Sequence, residues 1–156
     1  MSSVALDCDL QPMQLDDLPR VMKNERRSYT HPWTEGIFRD CLNSGYECWL
    51  ISCVNKVIGH GILSVAAGES HMLNVCIHPD CQGHGFGKIM VEHLLTRARI
   101  KKAKRVYLEV RPSNLVAYKL YENMGFNEIG VREDYYPAYV GREDALVLAL
   151  ELLSKQ

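Results

Sequence analysis

Three glycines at alternate positions mark the run Gln82-Gly83-His84-Gly85-Phe86-Gly87-Lys88 as a place where a backbone can meet an anion. Glycine lets the chain turn tightly and leaves no side chain between main-chain N–H groups and a bound oxyanion. The run lies between a strand-like segment, residues 72–77, and a helix-like segment, residues 89–100. A helix starting there aims its positive end at the same spot, and Lys88 adds a full charge in its first turn. Taken alone, the glycine pattern fits a plain flexible turn as well as a phosphate cradle. Its setting, with a strand before it, a His78-Pro79 stop and an amphipathic helix after it, is the arrangement a cradle requires.

The two commoner phosphate loops are excluded. The chain lacks Gly-x-x-x-x-Gly-Lys-Ser/Thr and carries no acidic residue at the end of a second parallel strand of a dinucleotide unit. The order of residues instead resembles the Gln/Arg-x-x-Gly-x-Gly/Ala motif of the GNAT superfamily of N-acetyltransferases. That resemblance implies that the loop residues Gly83, His84, Gly85, Phe86, Gly87 and Lys88 bind the pyrophosphate of acetyl-coenzyme A. The chain has Gly83-His84 where many relatives carry two basic or polar side chains, which leaves the pyrophosphate to the backbone and Lys88.

A chain of 156 residues with 47% hydrophobic content suits a single domain with a conventional core, residues 1–156. The net charge of -1 argues against a broad nucleic-acid footprint, and the basic cluster from Arg97 to Arg105 reads as a solvated helix end. Neither a basic n-region with an apolar stretch at the N-terminus nor an uninterrupted late apolar run is present, so a soluble cytoplasmic protein without membrane contact is expected. Cysteines at 8, 41, 48, 53, 76 and 81 form no Cys-x-x-Cys pair, and the six histidines are scattered. Reduced, buried thiols and no metal site are therefore expected.

The elements that must position the loop follow from periodicity. Leu6, Cys8 and Leu10 suggest an opening strand; Asp16 is placed to cap a helix bearing Leu18, Val21, Met22 and Glu25. Thr34 caps a second helix with Ile37, Phe38, Cys41 and Leu42, ending near Ser44-Gly45. Residues 47–54 and 57–66 read as a hairpin around Asn55-Lys56, and Ala67-Gly68-Glu69 turns into a third strand over 70–77. After the helix of 89–100 come a strand at 105–110, a helix at 114–124 closed by Gly125, and strands at 126–135 and 144–152. A meander followed by strand-helix-strand predicts an α+β fold with a mixed, mostly antiparallel central sheet and helices on both faces, the order of the acetyltransferase fold.

Period-two alternation puts Arg105, Tyr107 and Glu109 on one face of the 105–110 strand and Val106, Leu108 and Val110 on the other. Periodicity alone leaves Glu109 open between a rim charge paired to Arg111 and a proton acceptor. Tyr121, seven residues after Asn114 and so on nearly the same helical face, reads more readily as a packing residue than as a catalytic one. The run Leu108-Glu109-Val110-Arg111-Pro112-Ser113-Asn114 resembles the Leu-Glu-Val-Arg-x-Ser-Asn segment of bacterial ribosomal-protein alanine N-acetyltransferases. Ala117-Tyr118-Lys119-Leu120-Tyr121-Glu122-Asn123-Met124-Gly125-Phe126 is similar to their Ala-x-x-Leu-Tyr-Glu-x-x-Gly-Phe. The resemblance implies that Glu109 is the base, that Tyr121 protonates the coenzyme A thiolate, and that Asn114 contacts the cofactor. It also implies that backbone N–H groups of Val75, Cys76 and Ile77, on a strand splayed from its neighbour, face the acetyl carbonyl and pantetheine. Cys76 is expected to face the core rather than act as a nucleophile, since no histidine pairs recognisably with it.

The segment Tyr29-Thr30-His31-Pro32-Trp33-Thr34, and Asp134-Tyr135-Tyr136-Pro137 leading to Gly141-Arg142-Glu143-Asp144-Ala145, resemble the same branch and imply the walls of a peptide cleft. Trp33 also reads as a simple anchor of its loop. The resemblance thus implies transfer of acetyl from acetyl-coenzyme A to the N-terminal alanine of small-subunit ribosomal protein number eighteen, in a ternary complex. Two other readings stay open: acetylation of a small-molecule amine or a protein lysine, and a non-catalytic coenzyme A-binding module.

Overall fold

A computed structural model describes residues 8–152 of the chain. Its strands are β1 (Cys8–Pro12), β2 (Glu47–Cys53), β3 (Lys56–Ala66), β4 (Glu69–Ile77), β5 (Arg105–Val110), β6 (Asn127–Pro137) and β7 (Arg142–Glu151). The helices are α1 (Leu18–Ser28), α2 (Glu35–Asn43), α3 (Phe86–Ile100) and α4 (Leu115–Asn123). Strand order is β1-β2-β3-β4-β5-β7-β6, with β4–β5 parallel and β1–β2, β2–β3, β5–β7 and β6–β7 antiparallel. The mixed, mostly antiparallel sheet is as expected.

The chain packs as two compact units. One comprises the described residues through Ser64 together with Met72–Arg97; the other comprises Val65–His71 and the described residues from Ala98 onward.

In the first unit, α1 and α2 lay Leu18, Val21, Met22, Phe38 and Cys41 against Cys48, Leu50 and Ile62 of β2 and β3. Helical spacing on one side and strand alternation on the other bring these side chains together away from water. Thr34 caps α2 as expected, its hydroxyl accepting from the Ile37 N–H at 3.3 Å. Asp16 does not cap α1. A short 3-10 turn, Leu15–Asp17, precedes the helix, and Asp17 reaches back to the Gln14 N–H at 2.8 Å, because the tighter turn shifts the useful carboxylate by one residue.

The β2–β3 turn also sits one residue earlier than expected. Val54 and Asn55 take its central positions with φ of 51° and 64°, so Lys56 already belongs to β3. Both central residues of this tight hairpin turn need positive φ, and Asn tolerates that better than Lys. Of the opening strand, Leu6 lies outside the described residues. Cys8 and Cys53 face each other across β1–β2 and are joined in a disulfide, against the expectation of six reduced thiols. No sequence spacing announces such a pair; antiparallel register creates it.

In the second unit, β5 follows the expected alternation, with Val106, Leu108 and Val110 buried and the intervening residues partly exposed. β6 carries two irregularities in its pairing with β7, one between Arg132 and Tyr136 where Asp134 adopts φ 52°. The extra residues extend β6 to Pro137 and let β7 start at Arg142, two residues before the expected position.

Candidate active site

The glycine run forms the entry to α3. Gly83 and Gly85 hold φ of +82° and +85°, and no atom lies within 4 Å of where a Cβ would stand on either. These are backbone positions that glycine alone takes without strain, facing open space rather than packing. The helix begins at Phe86, three residues earlier than its apolar periodicity suggested, with the Ile89 N–H donating to the Gly85 carbonyl at 3.1 Å. The first N–H groups of a helix have no intrahelical acceptor, so the three glycines end at a set of donors. His84 and Lys88 are exposed there, while the Phe86 ring is buried and leaves only main chain to a ligand. Gln82 donates from Nε2 to the Ile77 carbonyl at 3.1 Å, tying the start of the loop to the end of β4.

β4 pairs with β5 only through Glu69↔Arg105, Ser70↔Val106 and His71↔Tyr107, and then continues through six further residues to Ile77. Val75 accepts from the Tyr29 hydroxyl at 2.9 Å, which pins the end of α1 and its following loop to this strand. Cys76 and Ile77 are buried. Burial pushes the Cys76 thiol up to about 12, and it faces the Asn24 carbonyl at 3.9 Å, so it packs inward as a neutral donor.

Glu109 sits with its side chain only 8% exposed. His71 Nε2 lies 2.6 Å from its Oε1 and Arg132 Nε 3.4 Å from its Oε2. The rim-charge reading paired Glu109 with Arg111, but Arg111 turns instead to Glu143 at 3.1 Å and to the Pro137 carbonyl at 2.9 Å. Neither His71 nor Arg132 was singled out in the sequence. Each sits in a different strand, and only the parallel β4–β5 register and the β6–β7 hairpin carry them to this carboxylate.

Tyr121 is buried on α4 with its ring 5.6 Å from Phe126 in an edge-to-face pair, and burial pushes its hydroxyl up to about 12. Tyr136 is pushed above the ordinary phenol range, first by burial and next by the Glu109 carboxylate, with Tyr121 adding in the same sense. Arg111 lies 4.3 Å over the Tyr136 ring. Glu109, Tyr121 and Tyr136 therefore share one electrostatic neighbourhood. Asn114 caps α4, its Oδ1 accepting from the Ala117 N–H at 3.2 Å, which leaves its amide N–H groups for other partners.

The first unit holds a buried polar network. Glu25 Oε1 meets His60 Nε2 at 2.9 Å and Asn74 Nδ2 at 3.2 Å, and its Oε2 accepts from the Trp33 N–H at 2.9 Å. Trp33 also packs on Phe38 at 5.1 Å, so it does anchor its loop. Glu25, His60 and Cys76 place potential metal-ligand atoms within 4.8 Å of one another. Those atoms are engaged in hydrogen bonds, and burial holds the thiol neutral.

Main-chain donors left open where a glycine loop enters a helix fit the class of proteins that bind a phosphate-bearing ligand. Residues 15–126 match the model of the acetyltransferase (GNAT) family, and the chain belongs to that family. It is an N-acetyltransferase by that membership. The chain is 34% identical over 143 residues, 92% of this chain and 97% of the relative, to the ribosomal protein bS18-alanine N-acetyltransferase of Escherichia coli K12. The crystal structure of the ribosomal-protein-S18-alanine N-acetyltransferase from Escherichia coli superposes with a TM-score of 0.90 at 32% identity, covering 96% of each chain. The NatC complex bound to Gag peptide and CoA shares the fold at a TM-score of 0.83 and 20% identity, covering 94% of this chain and 99% of that one.

Proposed function

We propose that this chain transfers acetyl from acetyl-coenzyme A to the N-terminal alanine of small-subunit ribosomal protein eighteen, working in the cytoplasm as a single N-acetyltransferase domain. The observation that carries it is the enclosed Glu109 carboxylate, held by His71 and Arg132, in a chain similar over nearly its full length to an enzyme of that name. The acceptor is inferred from the relative's name; the chemistry is argued from the residues.

In this reading the open backbone at Gly83 and Gly85, the first turn of α3 through Phe86 and Gly87, and the exposed His84 and Lys88 hold the pyrophosphate. Val75, Cys76 and Ile77 offer main-chain donors to the acetyl carbonyl and pantetheine, and Asn114 offers its amide to the cofactor. The free α-amine attacks the thioester carbonyl carbon, forming a C–N bond. The C–S bond then breaks, the surplus proton on nitrogen passes to the acceptor at Glu109, and Tyr121 donates to the departing sulfur. A phenol held near 12 stays protonated in the resting enzyme, so it is ready as a donor. Cys76, buried and neutral, takes no covalent part, which favours direct transfer in a ternary complex.

An α-amine fits this site better than a lysine. Its reference pKa of about 7.7–8.0, against about 10.4 for lysine, makes it neutral several-hundred-fold more often near pH 7, within reach of a modest base. No helix among the described residues is long and apolar enough to cross a membrane.

The test mixes the protein with acetyl-coenzyme A and two peptides bearing the ribosomal N-terminus, one starting with free alanine and one blocked but containing lysine, and locates acetyl by mass spectrometry. Acetyl on the free alanine alone supports the proposal. Acetyl on lysine moves the chain to another acceptor class, and cofactor binding without transfer to either points to a different acceptor or a binding module.

A further inference from the structure

The contact between His71 and Glu109 assigns more than a neighbour to the carboxylate. An ionised carboxylate only accepts, so at 2.6 Å the shared hydrogen belongs to His71 Nε2, and a neutral imidazole in that tautomer presents Nδ1 as its acceptor. Both Glu109 oxygens face donors, Oε1 the imidazole and Oε2 Arg132 at 3.4 Å. Its side chain is 8% exposed, whereas that of His71 is 32% exposed. Of the two groups, the imidazole is the one with surface for a substrate, and its Nδ1 carries the lone pair that a substrate N–H can meet.

We propose that His71 is the group that takes the amine proton, with Glu109 holding its tautomer and stabilising the imidazolium that forms. This rests on the acetyltransferase reading above and deepens the role of Glu109: the acceptor is a carboxylate–imidazole pair in which Glu109 positions and His71 touches the amine. The step balances simply. As the C–N bond forms, the N–H bond of the attacking amine breaks and an Nδ1–H bond forms, while Nε2–H stays with Glu109. The imidazolium then gives its proton to water, the thiolate gains one from Tyr121, and the Tyr121 phenolate regains a proton from water, which restores both groups.

The titratable and charged groups around the pair come from several elements. Glu69 shares its face of β4, and Tyr107 stands opposite it in the β4–β5 register, bonded to Glu69 at 3.0 Å. Arg111 ends the β5 side, Arg132 and Tyr136 approach from β6, and Tyr121 comes from α4.

The test uses the full chain with acetyl-coenzyme A and the alanine-first peptide, reading kcat against pH for wild type, His71→Ala, His71→Gln and Glu109→Gln, with cofactor binding measured on each. Wild-type kcat is expected to fall on the acid side, where the acceptor is already protonated. Both His71 variants should bind acetyl-coenzyme A normally yet lose about 100-fold or more in kcat, and His71→Ala should regain part of it on adding free imidazole, which a packing role would not allow. Glu109→Gln should lose activity, without rescue, and shift its acid limb downward because the imidazolium loses its partner. Wild-type kcat and an unchanged pH profile in His71→Gln, with Glu109→Gln inactive, would overturn the pair and leave Glu109 as direct base. An inactive His71→Ala that imidazole fails to rescue also overturns it, as does full activity in Glu109→Gln. Failure of wild type to acetylate any α-amine would instead sink the reading on which the proposal rests.

Discussion

Glu143 accepts twice from Ser113, from its backbone N–H and from its hydroxyl, each at 3.0 Å. Arg111 completes the arrangement with a bond of 3.1 Å to the same carboxylate. Two sequence motifs far apart in the chain, Arg111-Pro112-Ser113-Asn114 and Gly141-Arg142-Glu143-Asp144-Ala145, are thus one structural unit. It stands where β5 passes into α4, and so between Glu109 and Tyr121 along the chain.

The Ser113 hydroxyl, more than any other partner, holds the Glu143 carboxyl below the usual carboxylate range. A depressed pKa contributes stability that is present above the unfolded value and lost as pH falls through the folded one. Glu143→Gln should therefore lower stability at neutral pH by about 1 kcal/mol, a figure kept small because the group is partly solvated. Urea denaturation of both proteins checks this, with the difference expected to shrink as pH drops below about 4.

Glu109→Gln and Tyr121→Phe should each cut kcat by about 100-fold or more while leaving the dissociation constant of acetyl-coenzyme A within about twofold. Because Tyr121 is held near 12, wild-type kcat should show no loss from phenol ionisation up to about pH 10. Rapid-quench turnover with parallel cofactor titration separates the two effects, and wild-type rates in both variants would remove these assignments.

Gly83→Ala or Gly85→Ala places a Cβ in open space but on a backbone with φ near +82° or +85°. The strain of about 1 kcal/mol should weaken acetyl-coenzyme A binding by about fivefold, since the loop can relieve it only by leaving the conformation that presents its N–H groups. Calorimetric titration against wild type measures this. Asn at either position should be milder, because Asn tolerates the left-handed region.

The Cys8–Cys53 disulfide predicts a thiol count. Denatured without reductant, the protein should show four reactive thiols, from Cys41, Cys48, Cys76 and Cys81, and six after reduction. Closing a sequence separation of 45 residues should raise stability by about 4 kcal/mol in the chain-entropy account, so reduction should lower the melting temperature measurably. Six thiols before reduction would remove the bond.

Local rules were sufficient for most elements; Glu109 and Tyr121 they left open, and only motif resemblance to a known family singled those two out. The alternation of residues 105–110 told which face of β5 is buried, the Thr34 cap and Asn114 start were legible, and the glycine spacing named the loop, because each depends on neighbours within a few positions. Where an expectation slipped, a competing short-range geometry was responsible: the 3-10 turn displaced the cap from Asp16, and positive φ at Val54 and Asn55 moved the hairpin turn.

By itself, then, the amino-acid order determined the α+β class and pointed to the glycine loop, while Glu109 and Tyr121 were marked by motif resemblance and not by spacing. Only tertiary structure decided what Glu109 touches. His71 reaches it through a parallel pairing that no residue spacing encodes, Arg132 through a bulged hairpin, and Arg111 is drawn away by Glu143 across 32 residues of chain. Hydrogen-bond partners are chosen by distance in space, and the long-range pairing of strands sets that distance without leaving a local trace.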